Sequence, residues 1–67
     1  MTFIDFLQQW QGYMLCHPNQ RKGQALLNCL HSKGLDYLYK ELDDKFNIFY
    51  DDKQLREAIG QLARLMD

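Results

Sequence analysis

The chain is poor in the features that mark most specialised small proteins. Its 67 residues hold two cysteines, Cys16 and Cys29. Disulfide scaffolds of this length usually carry four or more, so both read as free thiols in a reducing compartment. One proline and four glycines leave no linker and no low-complexity stretch. There is no Gly-rich phosphate loop. No apolar run approaches the roughly 20 residues that a membrane span needs. The start, Met1-Thr2-Phe3-Ile4-Asp5, lacks a basic n-region and is interrupted by acid, so no signal peptide is expected. These features together predict a cytoplasmic protein. Charge of one sign is lacking too: eight basic and nine acidic side chains give a net charge of −1. Nucleic-acid binders usually show a basic excess or stripe, so this balance argues against that class.

What the chain does have is apolar and aromatic mass, 46% and 13% of its residues. That suffices for one domain, residues 1–67, with its own core. A domain this small buries only about 60% of its unfolded surface, and small scaffolds often lean on a second subunit. Homodimerisation is therefore open from size alone.

The hydrophobic spacing predicts an all-α domain of about four short helices. Phe3, Phe6, Leu7, Trp10, Tyr13 and Met14 follow the i, i+3, i+4, i+7 pattern, giving a helix from about Thr2 to Leu15. Thr2 is its N-cap, Asp5 stands in the capping-box position, and Met1 with Phe6 forms the staple. His17-Pro18-Asn19 breaks this helix, and Pro18 suits the first turn of the next. The second helix then runs to about Ser32, with Gly34 as its left-handed stop. At 100° per residue Gly23, Leu26, Leu27, Cys29 and Leu30 share its inner side. A third helix spans about Leu35 to Leu42 on a Leu35, Leu38, Leu42 stripe, with Asp43 and Asp44 beyond its end. Residues 45–50 read as a packed loop that inserts Phe46, Ile48 or Phe49. Asp51 caps the last helix, Gln54 closes its box, and Tyr50 with Leu55 staples it. Leu55, Ala58, Ile59, Leu62 and Leu65 or Met66 line that helix's inner face. Leu26, Leu30, Leu55, Ile59 and Leu62 are expected in the core.

No constellation points to catalysis or metal. Adjacent Cys16-His17 and the Cys29-x-His31 pair do not match structural zinc spacings. Residues 29 and 31 stand about 200° apart on one helix, so they cannot share an ion. A Cys–His catalytic pair needs both side chains in hydrogen-bond reach, which adjacent residues 16 and 17 rarely achieve. Cys29 reads as a small core residue and Cys16 as a partly buried helix-end residue. The pairs Asp43-Asp44 and Asp51-Asp52 flank helix ends, where turn and cap chemistry explains them. The expectation is no enzyme, no cofactor and no metal. The polar faces are not Lys/Arg-rich, so no membrane association is expected.

The candidate partner surface lies on the second helix. His17, Arg21, Gln24, Asn28 and His31 step by 4, 3, 4 and 3 and carry no aliphatic group. This stripe is a solvated face, a recognition face, or a network tied to Asp51 or Asp52. Arg21 and Lys22 stand in the first turn, where the helix dipole disfavours cations. A carboxylate or an acidic partner would offset that. Trp10 lies on the core stripe. Tyr37 and Tyr39 project from different sides of the third helix, so at least one is exposed, as interface tyrosines often are. The candidate partner-binding set is Arg21, Lys22, Gln24, Asn28, His31, Tyr37 and Tyr39.

The segment from His17 to Asn28, with its R-x-G-Q-A-x-x-N run, is followed about twenty residues later by Phe49-Tyr50-Asp51-Asp52. Together they resemble a family of short all-helical bacterial and phage proteins with an aromatic-rich first helix and an F-Y-x-D turn. Asn47-Ile48 stands where that family tends to carry Asp-Pro. The resemblance implies no nameable activity. It implies a phage or mobile-element accessory protein that binds one host protein, in the host cytoplasm, as an inhibitor or adaptor. Two other readings stand beside it: a small nucleic-acid-associated regulator reading DNA through Arg21, Gln24 and Asn28, and a structural subunit of a phage assembly.

Overall fold

A computed structural model describes residues 1–48 and 51–66. Among the described residues there are four helices and no strand: α1 Phe3–Cys16, α2 Lys22–Ser32, α3 Asp36–Lys45 and α4 Asp52–Met66. The all-α single domain read from the spacing is the fold. α1 starts as expected, with the Asp5 backbone N–H donating to Thr2 Oγ1 at 3.2 Å. Phe6 is fully buried, whereas Met1, its expected staple partner, stays 59% exposed. At the other end His17 leaves helical geometry, and its N–H is shared between the Tyr13 and Met14 carbonyls.

α2 begins at Lys22, later than Pro18 suggested. The Gln20 N–H donates to the His17 carbonyl at 3.1 Å and closes a turn over Pro18-Asn19. Proline's fixed φ serves the corner of that turn as readily as it serves a helix start. Arg21 is extended, at φ −69° and ψ 158°, and precedes the helix without a side-chain cap. The far end of α2 is a Schellman motif. Gly34 sits at φ +74°, its N–H donates to the His31 carbonyl at 3.0 Å, and the Leu35 N–H reaches back to Leu30 at 2.9 Å.

α3 runs three residues past Leu42, so Asp43 and Asp44 lie inside its last turn rather than beyond it. Those carboxylates oppose the dipole. Lys45 and the i, i+4 pair it forms with Glu41 at 2.5 Å act the other way. Of the stretch expected to be irregular, Lys45 belongs to α3 and residues 46–48 are non-helical. In that loop Ile48 is buried to 2% exposure and Phe46 is half-buried. Phe49 and the Tyr50–Leu55 staple lie outside the described residues.

Asp51 caps α4 by accepting from the Lys53 N–H at 2.9 Å and the Gln54 N–H at 3.4 Å. The box closes differently from the usual pattern. Gln54 Nε2 donates to the Asp51 carboxylate at 3.1 Å, and its Oε1 accepts the Asn47 N–H at 2.7 Å. One amide thus ties the cap to the preceding loop.

α2 is the central element. Gly23, Ala25, Leu26, Leu27, Cys29 and Leu30 are buried along it, and it touches all three other helices. Trp10 Nε1 donates to the Lys22 carbonyl at 3.2 Å, so the start of α2 lies against the middle of α1. Each fully buried leucine contributes about 1.5–3 kcal/mol of transfer free energy. Leu26, Leu30, Leu55 and Leu62 are in the core as expected, together with Phe6, Leu38 and Leu42. Ile59 is only partly buried at its margin, because α4 turns Leu55, Ala58 and Leu62 more directly inward. Met66 rather than Leu65 packs against the core.

Of the four glycines, Gly23 is the one another segment approaches closely. A Cβ built there would lie 1.7 Å from the Ile48 carbonyl oxygen, whereas a Cβ at Gly12 or Gly60 meets nothing within 4 Å. Gly23→Ala is therefore expected to cost about 1–3 kcal/mol or more, since the obstacle is backbone. Gly12→Ala and Gly60→Ala, in open helical positions, should each gain about 0.5–1 kcal/mol. Urea denaturation of the three variants checks this; equal effects at all three would contradict the contact.

A second expectation concerns pH. The Gln54 side chain, then the Gln54 and Lys53 backbone N–H groups, hold the Asp51 carboxyl below its ordinary value of 3.8. A carboxylate with a depressed pKa contributes stability above its unfolded value, and that contribution is lost as pH falls through the folded one. The difference in Tm between the wild type and Asp51→Ala should hold steady from about pH 7 to about pH 5 and shrink below about pH 4. A gap that ignores pH would remove the carboxylate from the cap.

Candidate partner-binding surface

The buried side of α2 is so wide that few of its side chains face outward. Gln24 and Asn28 are half-buried, and His31 is exposed. The Schellman turn at Gly34 folds the start of α3 back against this strip. As a result His31 Nδ1 lies 2.5 Å from Asp36 Oδ1. In the tautomer that places a proton on Nδ1, the ring donates to the carboxylate and Nε2 is left as an acceptor. Tyr39 stands edge-on to the same imidazole, with centroids 6.4 Å apart at 70°. Asn28 Nδ2 donates to Gln20 Oε1 at 3.2 Å. Asn28, His31, Asp36 and Tyr39 line one shallow cleft along the α2–α3 seam.

The expected stripe is therefore brought together only in part. Asn28, His31 and Tyr39 meet in the cleft, with Gln24 beside Asn28 on the same helical face. Tyr37 is separate and 68% exposed, about 200° around α3 from Tyr39, which packs against the core. Arg21 is exposed ahead of the helix. Lys22 lines a different groove with Trp10, Asp52 and Arg56. His17 leaves the stripe altogether. Its Nδ1 lies 3.0 Å from the Tyr13 carbonyl, and its ring stacks on Tyr13 at 4.1 Å and 18°. The residues between 17 and 21 form a turn, so the helical step that would align His17 with Arg21 does not exist.

Asp51 is occupied by the start of α4, and the network seen on α2 runs instead through Gln20 and Asp36. Neither residue is in the expected set. Asp36 was legible: a Gly34 stop followed at once by a helix places residue 36 beside residue 31. Gln20 carried no comparable signal, because its position depends on the turn around Pro18.

A second groove runs between α1 and the end of α2, lined among others by Tyr13, Cys16, His17, Cys29 and Lys33. Cys16 is exposed rather than partly buried, because the chain turns away at His17, whereas Cys29 is buried. Burial pushes the Cys29 thiol up, and the nearby Lys33 charge offsets part of this. Among the described residues no three His, Cys, Asp or Glu side chains converge where they could hold a metal ion. Among them, too, no helix is long and apolar enough to cross a membrane.

No family model matches the chain, and no curated protein or solved structure proves similar to it.

The two thiols should separate cleanly in reactivity, since exposure and thiolate character govern attack. Native protein with a thiol-reactive chromophore is expected to label Cys16 rapidly and Cys29 only at the rate of unfolding. Rapid labelling of both, in a Cys16→Ser control as well, would contradict the burial of Cys29.

Proposed function

We infer that the chain is a non-enzymatic protein-binding module, a phage or mobile-element accessory that binds and modulates a host protein complex. The observation that carries this reading is the cleft along the α2–α3 seam. Its polar side chains are already fixed by one another: Asn28 by Gln20, His31 by Asp36. Side chains ordered before binding lose less entropy on association, and that favours specific recognition of a protein surface. Tyr39, edge-on to the His31 ring, adds an aromatic wall to the same cleft.

Three features speak against a nucleic-acid reader and against catalysis. A helix that reads DNA must project into a groove, yet α2 is the most enclosed helix of this fold. Its neighbour α3 exposes Asp36, Asp43 and Asp44, which would repel phosphates. For catalysis, the imidazole beside Cys16 is engaged with Tyr13 rather than with the thiol.

The test is capture from a lysate of the host cell, with and without nuclease, comparing the wild type with His31→Ala/Asp36→Ala, two residues that line the cleft. Both sites are exposed, so stability should change by no more than about 0.5 kcal/mol each. Binding of the captured protein should fall tenfold or more and should survive nuclease. Capture abolished by nuclease, with a steep salt dependence, would replace this reading with the nucleic-acid one. Binding unaffected by the double substitution would move the site off the α2–α3 seam.

A further inference from the structure

α1 carries two apolar seams, and the core uses one of them. Phe3, Phe6, Trp10 and Tyr13 step by 3, 4 and 3 and face inward. Ile4, Leu7, Gln11 and Met14 repeat the same steps one residue later, about 100° further round the helix. This second seam is covered only in part. Ile4 is 66% exposed, and Leu15 beside it 83%. Gln11 is exposed, and Leu7 and Met14 are half-buried at the core's edge. Gln11, Met14 and Leu15 border a shallow depression. Among the described residues five large hydrophobics are exposed; Ile4 and Leu15 lie on or beside this strip and Met1 just ahead of the helix, so the apolar exposure is concentrated rather than scattered.

We propose that the Ile4–Leu7–Gln11–Met14 seam is the interface of a parallel homodimer, in which α1 pairs with α1 of a second copy. The spacing of 3, 4 and 3 is that of heptad a and d positions over two repeats. Ile4 falls at a and Leu7 at d, the combination that favours two strands. Gln11 falls at the second a position. A polar residue there sets register, because it must meet a polar residue of the partner. In a parallel two-fold pair Gln11 faces its own symmetry mate, and an amide both donates and accepts, so two identical amides satisfy each other.

Charge points the same way. Asp5 is the sole charged residue between Phe3 and Cys16, and it lies off the seam. Two copies can therefore close this face without repulsion, whereas a charged partner would find nothing complementary on it. A chain of 67 residues also gains from sharing a core.

The experiment is sedimentation equilibrium of the full chain over a concentration series. The wild type is expected to rise from 8.0 kDa to twice that mass. Ile4→Lys/Leu15→Lys should remain at the monomer mass with unchanged helicity, since both positions are exposed. Gln11→Lys, also at an exposed position, gives an independent reading and should likewise stay monomeric. Gln11→Leu should tighten association at least tenfold. In a Cys16→Ser background, Gln11→Cys should form a disulfide-linked dimer under mild oxidation, because parallel pairing sets residue 11 against itself. A wild type that stays monomeric at every concentration would overturn the proposal. So would a dimer that survives the paired lysines, or one in which Gln11→Cys does not cross-link.

Discussion

The carbonyl of Ile48 rests where the side chain of residue 23 would be, and much of the fold follows from that contact. Glycine at 23 lets the loop after α3 lie directly on the first turn of α2. The approach carries the Ile48 side chain into the core. From the other side, Trp10 of α1 donates to the carbonyl of Lys22. One helical turn thus receives both α1 and the loop that leads into α4. Nothing at this turn is held by a side-chain cap on α2, so close packing takes over the part that capping plays elsewhere.

The same economy runs through the helix ends. α2 has no acid in its first turn and no side-chain cap hydrogen bond at its N-cap, yet its C-terminus is closed by a complete Schellman motif. α4 shows the reverse emphasis. Its start is fixed by Asp51 and Gln54, and the Gln54 amide also holds the Asn47 backbone N–H. The loop beneath Gly23 is therefore anchored at two successive residues, by the Asn47 N–H on the Gln54 amide and by Ile48 in the core. α3 tolerates Asp43 and Asp44 in its last turn because Leu38 and Leu42 bury its inner face, an apolar gain larger than the few tenths of a kcal/mol that surface dipole terms reach.

The two surfaces raised as interfaces differ in chemistry. The α2–α3 cleft is polar and its side chains hold one another in place, which suits recognition of a specific protein. The outer seam of α1 is apolar and nearly free of charge, which suits a copy of itself. They lie on different helices, so one chain can use both at once. A dimer through α1 would present two α2–α3 clefts, and paired clefts raise the apparent affinity for a partner that can reach both.

Hydrophobic periodicity by itself determined that this chain is helical, that its described residues form four helices, and which leucines enter the core, because a 3.6-residue period is a local property that tertiary contacts seldom reverse. The caps at Thr2 and Asp51 and the stop at Gly34 were legible for the same reason: each acts within four residues of its own position. Boundaries beside Pro18 and Asp43 were misread. Proline's φ suits a turn corner and a helix start equally, and two aspartates at a helix end weigh less than the leucines behind them. The candidate surface was half legible. Asn28 and His31 follow from helical spacing, whereas His17 was lost to a turn and Tyr37 to the far side of α3. Gly23 looked like one more small residue on an apolar face, and that Ile48's backbone needs its missing side chain is settled only when chain segments 25 residues apart come into contact.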